Sequence, residues 1–225
     1  MGDNWQAAKA SARIIERSSN GAGSSVSVGR GIRYQPTRGE QTVKTLLSER
    51  ELSDGVDRLS RAIADRWDSQ PMTIVGVLTG CVVFLADLIR RLDMPLRVYL
   101  VQASSYRNGT TRGELTIDVD LGPEVEGRDV LLIDDIFDTG HTLVRVLAEL
   151  KKYRPATIHT AVLLYKEGRQ EVEFEPEFIA FRIPNQFVVG YGLDYQDEYR
   201  NLPYLAVLEP EDLNPRAGDG VGADG

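Results

Sequence analysis

The chain has 225 residues, 42% hydrophobic and 27% charged, a balance that fits a globular domain with its own core and excludes wholesale disorder. Its single cysteine, Cys81, and two histidines, His141 and His159, exclude an intrachain disulfide framework and leave little for an all-protein zinc site. With 26 basic against 34 acidic residues the net charge is −8, which argues against nucleic acid as a partner, because that binding needs cations to neutralise phosphates.

In chain order, residues 1–40 read as a flexible N-terminal extension. Residues 5–17 have the composition of a short helix, and nine of the fourteen residues 18–31 are Gly or Ser. No apolar run is long enough to span a membrane and no secretory apolar block opens the chain, so a cytoplasmic protein with no membrane partner is expected. Residues 41–210 form the expected folded domain. It opens with Ser48-Glu49-Arg50-Glu51, a capping box, followed by Leu52, Val56, Leu59, Ile63 and Trp67 at helical spacing. An apolar strand over 73–78 ends in Thr79-Gly80, a helix follows over 82–92, and a second strand over 97–103. A polar segment, 104–114, interrupts before a short apolar run at 115–119. The most apolar strand, 130–133, leads through 134–140 into a helix over 141–152 and a strand over 156–164. Residues 211–225 have almost no apolar anchor and read as a disordered tail. Continuous apolar strands alternating with helices predict an open, doubly wound α/β domain with a mainly parallel sheet, whose ligands bind beyond the carboxyl ends of the strands.

The segment 130–143, VLLIDDIFDTGHTL, carries the chemistry. A buried strand delivers Asp134 and Asp135 to its carboxyl end. Asp138 follows at the turn, and Thr139-Gly140-His141-Thr142 opens a helix. A helix start presents free N–H groups and a positive dipole end, which suit a phosphate. Carboxylates beside a phosphate need a metal or sugar hydroxyls to contact, so the segment asks for a phosphate, hydroxyls and Mg²⁺. The same residues admit a blander reading, with Asp138 as a helix N-cap and Asp134 and Asp135 as a solvated strand end. An Asp-Asp strand end is also what a phospho-receiver domain presents. Cys81, directly before a helix, occupies a position that lowers thiol pKa and would be open to alkylation, although packing is its plainer role.

IDDIFDTGHT resembles the phosphoribosyl-pyrophosphate motif of type I phosphoribosyltransferases, and the remaining landmarks resemble the hypoxanthine-guanine branch of that family. VLTGCVVFLADLIRRL (77–92) is similar to its pyrophosphate-loop segment and SSYRNGTTRGEL (104–115) to its mobile active-site loop. LLYKEGR (163–169) is similar to the segment carrying the purine-contacting lysine, and FVVGYGLDYQDEYRNLPYLAVL (187–208) to a small hood subdomain.

The resemblance implies a Mg²⁺-dependent purine-salvage enzyme that joins hypoxanthine or guanine to phosphoribosyl pyrophosphate, as a homodimer or homotetramer. It implies that Asp138 is the general base and that Asp134 and Asp135 contact the ribose directly or through Mg²⁺. Asp138, Thr139, Gly140, His141 and Thr142 would cradle the 5′-phosphate. Thr79, Gly80 and Arg200 would hold the pyrophosphate, and Asp194 would ligate Mg²⁺. Lys166, Phe187 and Val188 would contact the purine, while Ser105 and Tyr106 would close over the site. Outside the family context, Phe187 reads as core, Lys166 as a solvated cap, and Asp194 with Arg200 as a surface ion pair. Thr79 and His141 stand where animal members carry lysines, and the resemblance also implies a cis peptide at Leu78-Thr79. Other readings are a transferase for xanthine or uracil, and a non-catalytic regulator that senses phosphoribosyl pyrophosphate.

Overall fold

A computed structural model describes residues 44–68, 70–102 and 121–209. Helix α1 (Glu49–Trp67) follows the short strand β1 (Lys44–Leu47) and begins at the expected capping box. The Ser48 hydroxyl accepts from Glu51 N–H, and the Glu51 carboxylate accepts from Ser48 N–H at 2.8 Å. Its stripe of Leu52, Val56, Leu59, Ile63 and Trp67 is buried, so the helical periodicity marks the packed face.

Five parallel strands follow: β2 (Met72–Leu78), β3 (Leu96–Gln102), β4 (Asp129–Phe137), β5 (Thr157–Lys166) and β6 (Phe178–Ile183), in the order β3-β2-β4-β5-β6. Helices α2 (Val82–Ile89), α3 (Gly122–Val125) and α4 (His141–Lys152) fall between them. Alternate strand residues point to opposite faces, and both faces are covered. Ile74, Leu131, Ile133 and Leu163 pack with α1 and α2, whereas Val75, Val130, Leu132 and Val162 pack with Leu143, Val146 and Leu150 of α4. This double coverage is why the strands read as unbroken apolar runs. The open, doubly wound parallel sheet is the expected fold class.

Strands β7 (Phe187–Val189) and β8 (Leu205–Leu208) form a separate antiparallel sheet with β1, in the order β1-β8-β7. Its Val188, Leu205 and Val207 join the main core, and Val189, Ala206 and Leu208 form a small cluster with Tyr195, Tyr199 and Tyr204. This is the hood.

Some boundaries differ from expectation. The helix expected over 82–92 ends at Ile89, because Arg91 N–H bonds back only three residues to the Leu88 carbonyl and tightens the last turn ahead of Pro95. Strand β4 continues past Ile133 to Phe137, since its ladder with β5 runs on to Phe137 opposite Tyr165. Asp134 and Asp135 therefore lie within the strand. Strand β5 extends to Lys166 through its pairing with Ile183 of β6. The elements expected at 5–17 and 115–119, and Ser105 and Tyr106, lie outside the described residues. Among the described residues, no helix is long and apolar enough to cross a membrane.

Candidate active site

The carboxyl end of β4 meets the start of α4 around a cavity of about 250 Å³, lined by Val77, Asp134, Asp135, Asp138, Thr139 and Thr142 among others. Gly140 is the residue that makes this turn. It caps α4 with φ +87°, a left-handed conformation natural to glycine, and a Cβ there would meet Val172 at 2.4 Å and Phe137 at 2.6 Å. The cap makes no side-chain hydrogen bond, so the free N–H groups of the first turn face the loop unshielded. Asp138 is thus not the N-cap. Its carboxylate is held by two cations instead, with Lys166 Nζ donating to Oδ2 at 2.8 Å and Arg169 Nε to Oδ1 at 3.0 Å. Partial burial opposes ionisation of Asp138, but these donors outweigh it and hold the carboxyl below its ordinary range.

Asp134 is 6% exposed and is not a solvated strand end. Its Oδ1 accepts from Asp135 N–H at 3.0 Å, and Asp135 Oδ1 accepts from Ile136 N–H at 2.9 Å. Burial, then the neighbouring charge of Asp135, drives the Asp134 carboxyl well above its ordinary range. Burial also raises Asp135, against opposing hydrogen bonds and the charge of Arg200. A carboxyl raised in the folded state takes stability away as pH climbs from the ordinary carboxylate range through the raised value. Asp134→Asn keeps an acceptor for Asp135 N–H and deletes this buried charge. The variant is expected to melt higher than the parent at neutral pH by about 2–4 °C for each kcal/mol recovered, and calorimetry across pH should show that gain vanish in acid.

Distant segments converge on this pair. A Cβ on Gly80 would fall 1.6 Å from Asp135 Oδ2 and would have to displace that carboxylate, and a Cβ on Gly192 would fall 2.2 Å from the backbone carbonyl of Gly80. The Leu78–Thr79 peptide is cis, as the resemblance implied. Arg200 donates to the Gly192 carbonyl at 2.9 Å and pairs with Asp194 at 2.8 Å, placing both beside the Thr79-Gly80 loop. His141 sits in the first turn of α4 with its Nε2 on the Glu171 carboxylate at 2.8 Å. Lys166 is 8% exposed and is not a solvated cap. Phe187 is 40% exposed on the hood and meets Tyr195 edge to face at 5.5 Å, so it is not core, whereas Val188 is buried.

Cys81 takes its plainer role as a packing residue. It is wholly buried, and desolvation together with Asp134 and Asp135 drives its thiol upward, so it is neither acidic nor open to alkylation. Arg169 went unassigned in the sequence although it closes the segment carrying Lys166. Tyr191, whose hydroxyl donates to Asp87 of α2, had no sequence signal beyond the glycines on either side of it.

The chain was compared with known proteins. A family model for the phosphoribosyl transferase domain matches residues 42–196. A bifunctional TilS/HprT protein of Listeria monocytogenes is 45% identical over 170 residues, 75% of this chain and 26% of that protein, so the chain spans about a quarter of it. The hypoxanthine-guanine phosphoribosyltransferase of Lactococcus lactis is 41% identical, over 76% of this chain and 93% of that protein. Among solved structures, a hypoxanthine-guanine phosphoribosyltransferase of Bacillus anthracis superposes with TM-score 0.69 at 34% identity, over 74% of this chain and 99% of its own. A hypoxanthine phosphoribosyltransferase of Staphylococcus aureus gives 0.70 at 38%, over 75% and 92%. Sequence, family model and superposition thus agree over the same stretch, and the chain belongs to the phosphoribosyl transferase family, in its bacterial hypoxanthine-guanine branch.

Proposed function

We propose that the chain is a 6-oxopurine phosphoribosyltransferase of purine salvage, converting hypoxanthine or guanine plus phosphoribosyl pyrophosphate to the nucleoside monophosphate and pyrophosphate. The observation that carries this reading is Asp138. An ionised carboxylate paired to a buried lysine stands at the mouth of a helix-start loop, beside the buried Asp134 and the half-buried Asp135. Asp138 would accept the imidazole proton of the purine as the C–N bond forms, for which its lowered pKa keeps it ionised at neutral pH. Lys166 would donate to the 6-oxo group, which adenine lacks. Asp134 and Asp135 would stabilise positive charge developing at the anomeric carbon. Backbone N–H groups of residues 138–142 and the Thr139 and Thr142 hydroxyls would hold the 5′-phosphate. Thr79, Gly80 and Arg200 would hold the pyrophosphate. Phe187 would stack on the base, Val188 would meet its edge, and the Ser105-Tyr106 loop would exclude water.

The donor set fits Mg²⁺. Asp134 and Asp135 are adjacent hard-oxygen ligands whose mutual repulsion a cation would relieve. Among the described residues no cluster of three or more His, Cys, Asp or Glu side chains is set to hold a metal, which leaves the remaining coordination to substrate and water oxygens. Asp134 and Asp135 would hold Mg²⁺ at the ribose, and Asp194, which does not cluster with them, would ligate Mg²⁺ at the pyrophosphate, where it would neutralise the departing group. The homodimer or homotetramer belongs to the same proposal. It is supported by Val98 and Leu100, both 39% exposed on β3, the last strand of the described sheet.

A spectrophotometric assay with phosphoribosyl pyrophosphate, Mg²⁺ and each of hypoxanthine, guanine, xanthine, adenine and uracil tests the reading. Hypoxanthine or guanine should turn over, with adenine slower by about a hundredfold or more, because it leaves the buried Lys166 unmatched. Binding of phosphoribosyl pyrophosphate without turnover of any base would replace the transferase with a sensor, and a preference for xanthine or uracil would reassign the substrate.

A further inference from the structure

The connection between β5 and β6 lies along the phosphate loop residue by residue. Glu171 N–H donates to the Thr139 carbonyl at 3.0 Å, Gln170 Nε2 donates to the carbonyls of Asp138 and Lys166, and Val172 packs where Gly140 has no side chain. Arg169 is the member of this strap that reaches the Asp138 carboxylate itself. With Lys166 on Oδ2 and Arg169 on Oδ1, each carboxylate oxygen already accepts a hydrogen bond from a cation, which leaves it a weaker base than a free carboxylate.

The two cations are not equivalent. The Lys166 side chain is 10% exposed and projects from the end of a strand, whereas Arg169 is 42% exposed on a strap pinned to the loop backbone. A 6-oxopurine offers an acceptor that competes for the lysine ammonium and offers nothing to the guanidinium.

We propose that Arg169 is the positioning residue of Asp138, retaining Oδ1 and fixing the carboxylate while the incoming 6-oxopurine draws Lys166 off Oδ2 and so uncovers the general base. This rests on the function proposed above. The proton on one imidazole nitrogen of the purine passes to Oδ2 as the other imidazole nitrogen bonds to the anomeric carbon. The C–O bond to pyrophosphate breaks, and the pyrophosphate leaves with the electron pair. A purine without the 6-oxo group leaves Lys166 in place, so recognition of the base and release of the catalytic oxygen become one event. The other titratable groups around the loop are the His141–Glu171 pair and the carboxylates Asp134 and Asp135.

Full-length R169Q and R169K, with aspartate labelled at the carboxyl carbon, would be titrated by ¹³C NMR, the Asp138 signal being assigned by its absence in D138N. In R169Q the Asp138 midpoint should rise, and kcat with hypoxanthine should fall about tenfold while KM for phosphoribosyl pyrophosphate stays within about twofold. R169K, which keeps the charge, should recover most of both, and it carries the comparison should R169Q fold poorly. An unmoved midpoint, or a moved midpoint with unchanged kcat, overturns the assignment. Absence of wild-type turnover with every base would instead sink the transferase reading, and the titration would still report whether Arg169 governs Asp138.

Discussion

Asp138→Asn is expected to lower kcat by about 10²–10⁴-fold, the range typical of losing a general base. The substitution preserves shape and one acceptor, so the loop backbone and its 5′-phosphate site should persist. It removes the charge that two cations share, and an amide places its NH₂ against either Lys166 or Arg169. Binding of phosphoribosyl pyrophosphate measured by calorimetry should therefore remain close to wild type while turnover collapses. The melting temperature should also drop, because the buried Lys166 ammonium loses its counter-ion. Near-normal kcat in Asp138→Asn would remove Asp138 from the chemistry altogether.

Gly192→Ala should be a strongly damaging small substitution in the hood. Gly192 has φ +103°, and its Cβ would land 2.2 Å from the Gly80 carbonyl, a backbone atom that cannot rotate aside. A stability loss of about 1–3 kcal/mol is expected from the strain. KM for pyrophosphate in the reverse reaction should rise about tenfold or more as Gly80 and Arg200 lose register. Gly80→Ala is the informative partner. Its clash is with a carboxylate that can swing, so melting should fall less than in Gly192→Ala while activity still suffers. Equal melting temperatures for Gly192→Ala and wild type would show that the two loops do not bear on each other.

The site was legible where its parts are contiguous. Asp134, Asp135, Asp138 and the helix start at His141 lie within eight residues of one strand–turn–helix unit. Their order alone puts carboxylates next to free N–H groups. What escaped were contacts between segments remote in sequence. Arg169 meets Asp138 across 31 positions and Tyr191 meets Asp87 across 104, and neither spacing has a periodic signature. At Cys81 the packing reading holds and the local rule does not, because burial beside Asp134 and Asp135 outweighs the helix terminus.

By itself, the sequence determined the α1 capping box, the two-faced apolar strands, the α4 boundaries and the strand–turn–helix unit that joins β4 to α4, because each depends on residues within a turn or two or on a repeating pattern. Only the tertiary structure decided which cations hold Asp138, why Gly192 admits no side chain, and that Asp134 and Cys81 are desolvated. Burial and electrostatic pairing depend on which distant atoms share a few ångströms of space, and chain order does not encode that separation directly.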